Sequence, residues 1–132
     1  GAVLLRERPL RGLLGGMLET PSSPWEEAAP NGRSLRVHAP FEADWRKVPG
    51  TVEHIFTHFH LELLVYCARV GLEAQVKRAA QPERCRWMKM RELPGAALPS
   101  LMRKIIGHAL NEKFSPGAQA SAAPPRAKRR SA

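Results

Sequence analysis

At 132 residues the chain is long enough for one hydrophobic core and too short for two. Aromatic residues at 6%, with 12 prolines and 10 glycines, argue against a helical bundle and for a loop-rich structure around a modest sheet. The formal charge is +9, of which Arg126, Lys128, Arg129 and Arg130 near the C-terminus supply four, so the body stays positive and suits a polyanionic partner.

Taken in order, residues 2 to 6 read as a short strand stopped by Arg8-Pro9, and Leu13 to Leu18 as a second segment interrupted by Gly15-Gly16. Paired glycines let another backbone or a phosphate approach closely. Ser22-Ser23-Pro24 ahead of Trp25-Glu26-Glu27-Ala28-Ala29 carries the cap and first-turn proline of a helix start, ended early by Pro30-Asn31-Gly32. Residues 33 to 50 are mixed: Leu35, Val37 and Ala39 alternate, while Pro40 and Pro49 bracket a segment around Trp45 that suits a short helix.

The clearest pattern is in residues 52 to 66. From His58 onward, Phe59, Leu61, Leu63 and Val65 fall on one face and His60, Glu62, Leu64 and Tyr66 on the other, the period of a half-buried strand. Ile55 and Phe56 break that alternation, and a bend near Thr57-His58 resolves the conflict. It places a hydroxyl and an imidazole at the mouth of a turn between two strands, where they can reach a ligand.

Beyond it, Glu73 to Lys77 and Arg84 to Met90 read as strands, giving five or six in all. From Ser100 the apolar residues Leu101, Met102, Ile105, Ile106, Ala109 and Leu110 recur at helical spacing, with Arg103, Lys104, His108, Asn111 and Glu112 opposite. Residues 115–132, rich in Ala, Ser, Pro and Arg, have nothing to bury and are expected to be a disordered basic tail. Sheet plus flanking helices makes an α+β domain over residues 1–114.

Cys67 and Cys85 stand far apart and in no metal-ligand spacing, which predicts reduced thiols in an intracellular protein. No apolar run approaches the roughly 20 residues of a membrane span, and the N-terminus lacks the order of a signal peptide. The chain opens directly on Ala2-Val3-Leu4-Leu5 and so reads as cut from something longer.

Several segments together carry a resemblance. Phe56-Thr57-His58 matches a Phe-Ser/Thr-His loop; Arg8-Pro9 with Gly12-Leu13-Leu14-Gly15-Gly16 and Pro21 matches a Gly-Leu-x-Gly-Gly-x-x-x-x-Pro segment; Ala97-Leu98-Pro99-Ser100 and Arg103-Lys104-Ile105-Ile106 match a closing helix. Over residues 1 to 113 the chain resembles the C-terminal domain of the MutY family of adenine DNA glycosylases, which remove adenine mispaired with 8-oxoguanine. The resemblance implies a single domain with a Nudix-like mixed β-sheet and flanking helices. It also implies that Phe56, Thr57 and His58 lie against the oxidised guanine.

By the same resemblance the partners are double-stranded DNA holding 8-oxoguanine opposite adenine and the enzyme's own N-terminal catalytic domain, with no membrane. The location implied is the cytoplasm of a bacterium, at the nucleoid. No cofactor is expected in this chain, since the family's iron–sulfur cluster belongs to the catalytic domain.

Catalysis by the chain itself is not expected. Nudix hydrolysis of nucleoside diphosphate derivatives, the alternative function, needs carboxylates on one helix to hold magnesium. Six residues after Gly12, Gly15 and Gly16 stand Leu18, Pro21 and Ser22, and only Glu26-Glu27 remains as an adjacent pair. His54, His58 and His60 are separated by the bend and make a poor zinc set. No nucleophile is paired with a base. The residues read as a binding module, for damaged DNA or, as a further reading, for another repair protein.

Overall fold

The computed structural model describes residues 1–27, 31–111, 120–122 and 126–131. The apolar opening forms β1 (Ala2–Glu7), which carries Val3, Leu4 and Leu5 into the core. Between β1 and β2 (Leu18–Glu19) the chain makes a compact loop closed by Gly16 N–H to the Pro9 carbonyl (3.1 Å) and Arg8 N–H to the Met17 carbonyl (2.9 Å). A Cβ at Gly15 would overlap the Leu10 carbonyl, so the glycine pair serves a close backbone approach within the loop.

Asn31 opens α1 (Gly32–His38), its side-chain oxygen accepting from Ser34 N–H at 2.9 Å. The rest of the body follows as β3 (Arg46–Lys47), β4 (Val52–Ile55), β5 (Phe59–Leu64), β6 (Tyr66–Arg69), β7 (Cys85–Lys89) and α2 (Ser100–Asn111). Near the C-terminus lie β8 (Ala120–Ala122) and β9 (Arg126–Ser131). Among the described residues the mixed sheet resolves into three three-stranded sheets, β2-β1-β7, β3-β6-β8 and β4-β5-β9, with every pairing antiparallel. This is the α+β architecture that the sequence predicts, with α2 packed on β4.

The inward residues of β5 and the apolar stripe of α2 meet as expected. Leu61, Leu63, Val65 and Cys67 pack with Leu101, Met102, Ile105, Ile106 and Ala109, and Leu5 of β1 joins them. Each large aliphatic side chain buried there contributes about 1.5–3 kcal/mol. Burial pushes the Cys67 thiol up to about 12. Among the described residues no helix is long and apolar enough to cross a membrane.

Four expectations are corrected. Residues 21–27 are non-helical despite the Ser-Pro signal, because Trp25 is drawn against Phe56 and under Arg8; Ala28, Ala29 and Pro30 of that expected helix lie outside the described residues. The helix of the next segment is α1, so Asn31-Gly32 starts an element where it was read as ending one, and Trp45 sits in a loop, its indole N–H donating to the Phe41 carbonyl (3.0 Å). Residues 73–77 form no strand: Ala74 N–H closes a turn onto Gly71, and Lys77 N–H goes to the Pro40 carbonyl.

The basic tail, expected to be disordered, contains β8 and β9. These strands add to the open edges of β6 and β5, where unpaired N–H and C=O groups accept a further strand whatever its side chains bury. Residues 115–119, 123–125 and 132 of that expected tail lie outside the described residues.

Candidate nucleic-acid interface

The bend expected at Thr57-His58 is a hairpin turn. Strands β4 and β5 pair from Val52↔Leu63 to Ile55↔His60, and Phe56 N–H then donates to the Phe59 carbonyl at 2.9 Å. Thr57 and His58 are left as the two residues of the loop. Neither has positive φ, so the turn differs from the primed types whose twist matches the flanking strands. Both side chains are exposed. Of the three residues singled out from the sequence, these two stand at the tip and Phe56 stands beneath them.

Phe56 is half-buried and belongs to the edge of the core. Its ring lies 4.7 Å from Phe59, 6.0 Å from Trp25 and 4.8 Å from His54, the last edge-on. Aromatic pairs of this kind contribute about 0.5–1.5 kcal/mol each beyond simple burial. The loop therefore rests on a packed aromatic footing, and Phe56 props it.

On one side of that footing His54 Nδ1 lies 3.0 Å from Lys104 Nζ, and the same ammonium donates to the Glu53 carbonyl at 3.3 Å. An ammonium can only donate, so the imidazole accepts at Nδ1 and carries its proton on Nε2. Burial, and then the Lys104 charge, hold the His54 pKa below its ordinary value. On the other side Arg8 lies over the Trp25 ring at 5.0 Å, a cation–π contact.

The three histidines tested as a zinc set are dispersed. His54 is on β4, His58 at the exposed tip, and His60 on β5 with Nε2 3.8 Å from Glu53 Oε1. Glu19, Glu26 and Glu27 also fail to fit magnesium. Glu19 is buried and spends its two oxygens on Arg6 Nε and Arg8 Nη1, each at 2.9 Å, while Glu26 and Glu27 are exposed on a segment with no helix. A hard, octahedral cation needs several carboxylates converging from one element, and these diverge.

The tip is legible in the sequence and its footing is not. Local pattern puts Trp25 in a helix, Lys104 on the polar face of α2 and Arg8 at a strand stop. Their contacts with residues 54 and 56, or with Glu19, join positions 11 to 50 apart in the chain, which no local pattern signals.

Residues 1–108 match the family model described as NUDIX domain. Over 110 residues, 79% of the chain, it is 33% identical to the human protein named adenine DNA glycosylase, covering 20% of that protein. The mouse and rat proteins of the same name are 30% and 29% identical over the same share of the chain, which covers 21% of each. The chain thus spans about a fifth of the length of these curated relatives. No solved structure matches it significantly.

Proposed function

Because the chain belongs to the NUDIX domain family and is similar to MutY-family adenine DNA glycosylases, we propose that it is their DNA-repair recognition module: it reads 8-oxoguanine opposite adenine and leaves excision of the adenine to a separate catalytic domain. The observation that carries this reading is the two-residue turn of Thr57 and His58, exposed above a fixed aromatic footing of Phe56, Phe59, Trp25 and His54.

Oxidation of guanine at C8 converts N7 from an acceptor into an N–H donor and adds a carbonyl oxygen beside it. A reader needs an acceptor and a donor side by side. The Thr57 hydroxyl serves as either, and backbone groups of the turn supply the complement. Undamaged guanine presents N7 as an acceptor and loses one of the two bonds, a difference of about 1–3 kcal/mol. His58 at the tip is placed for a phosphate or for orienting the Thr57 hydroxyl. Phe56 holds the turn at a constant height, so that both bonds form without reorganisation.

Binding requires no metal in this scheme. The misfit of Glu19, Glu26 and Glu27 to magnesium weighs against Nudix-type hydrolysis as the activity of this chain.

The test is an NMR titration of the 132-residue chain with short duplexes carrying adenine opposite 8-oxoguanine or opposite guanine, at one fixed salt concentration. We expect tighter binding of the oxidised duplex, with shifts centred on Phe56 to His58. Thr57→Ala should remove most of that preference. Equal affinity for both duplexes, with shifts spread over basic residues, would overturn the assignment of the turn.

A further inference from the structure

Beside the aromatic footing, and unused by the reading of the turn, lies an open cleft of about 460 Å³. It is lined by Arg6, Arg8, Trp25, His38 and Arg84, with the buried Glu19 at its wall. Three guanidiniums and one carboxylate line it, so the cleft carries a net positive charge before His38 is counted.

Two of its arginines are held in advance of any ligand. Arg6 and Arg8 are each fixed to one oxygen of Glu19 at 2.9 Å, and Arg8 also donates Nε to the Leu13 carbonyl (2.9 Å) and lies on Trp25. Their remaining N–H groups stay available in a rigid fork, which suits the oxygens of a phosphate. Arg84 lines the same space and has no ion pair among the described residues. A carboxylate shared by two arginines and a third arginine left uncommitted make an anion site in which the positive charge exceeds what the protein itself neutralises.

We propose that this cleft binds a phosphate group, and that the phosphate belongs to the DNA backbone beside the base read by the turn. The proposal rests on the reading of the turn above. What selects the backbone over a free nucleotide is continuity: Trp25 both lines the cleft and packs on Phe56, ring centroids 6.0 Å apart, so a single aromatic side chain links the cleft to the footing of the turn. The Trp25 indole is itself already engaged, by the Arg8 guanidinium at 5.0 Å and by Phe56. The cleft sets affinity and register, and the turn sets selectivity.

The test measures binding of the full 132-residue chain to both duplexes by fluorescence anisotropy over a series of salt concentrations. Arg84→Gln should weaken both duplexes alike, roughly 3- to 10-fold, and lower the slope of log affinity on log salt by about 0.9. Arg84→Lys, which keeps the charge, should restore the slope.

Unchanged affinity and slope in Arg84→Gln would overturn the cleft. If Thr57→Ala still abolished the lesion preference in that case, the turn would stand without it. Conversely, a reduced slope in Arg84→Gln with an intact preference in Thr57→Ala would uphold the cleft and sink the turn. Inorganic pyrophosphate identifies the source of the phosphate: NMR shifts at Trp25 and Arg84 with pyrophosphate, and none there with duplex, would assign the cleft to free nucleotides and overturn the backbone proposal.

Discussion

The turn at Thr57-His58 and the cleft at Arg6, Arg8 and Arg84 share one wall, Trp25, and are built on opposite plans. The turn keeps its reactive atoms exposed and obtains its rigidity from apolar rings beneath. The cleft keeps its charges partly buried and obtains its rigidity from a carboxylate. The contrast separates two demands on a lesion reader: a group that discriminates must be free to choose its bond, whereas a group that anchors must be fixed before contact. Loss of a discriminating group should therefore spare the fold, and loss of an anchoring group's support should not.

The largest effect is expected in the cleft. Glu19→Ala leaves two half-buried guanidiniums without their counter-charge and should destabilise the chain by about 3 kcal/mol, read as a lower urea midpoint. Glu19→Gln, which retains a carbonyl acceptor, should cost less. Next comes the footing. Phe56→Ala removes a half-buried ring with three aromatic neighbours and should cost about 2 kcal/mol while also erasing the lesion preference.

Thr57→Ala is the sharper contrast. Its stability should change by less than about 0.5 kcal/mol, since the side chain is exposed, yet the preference for the oxidised duplex should fall by about 1–3 kcal/mol. If Thr57→Ala unfolds the chain, or Phe56→Ala leaves the preference untouched, the division between tip and footing is wrong.

The smallest effect is a titration. Burial and then the Lys104 charge lower the folded pKa of His54, so the unfolded chain takes up a proton more readily than the folded one; its contribution to stability is complete above pH 6.5 and is lost as the pH falls through the lowered folded value. NMR of the histidine ring should place its midpoint below 6.5, and Lys104→Gln should move it upward.

Much of the body was legible because it obeys a local period. Strand β5 alternates, α2 recurs at helical spacing, and the clash of Ile55 with Phe56 located the turn to within two residues. The helix expected from Ser22 was misread over the described residues 22–27, and residues 33–50 stayed mixed, because the signals there are short and distant partners outweigh them. Three alternating residues, Leu35, Val37 and Ala39, fit a strand as well as a helix, and α1 buries none of its residues firmly enough to decide. Pro24-Trp25 gave a helix signal that the packing of Trp25 on Phe56 overrode. In the tail, composition spoke only of burial, while β8 and β9 are joined to the body by backbone pairing, to which composition is blind. At the site the tip was legible and the cleft was not, since its residues are collected from Arg6 to Arg84.

The buried thiol of β6 gives the molecule a chemical clock. Cys67 is fully enclosed and its thiol is pushed up to about 12, so at neutral pH the reactive thiolate is a rare form of it. Cys85 is restrained as well, raised by burial and donating its S–H to the Ala80 carbonyl at 3.4 Å. An alkylating reagent added to the folded chain must wait at Cys67 for the β3-β6-β8 sheet to open, and the rate at which that one sulfur is modified reports how often the core comes apart.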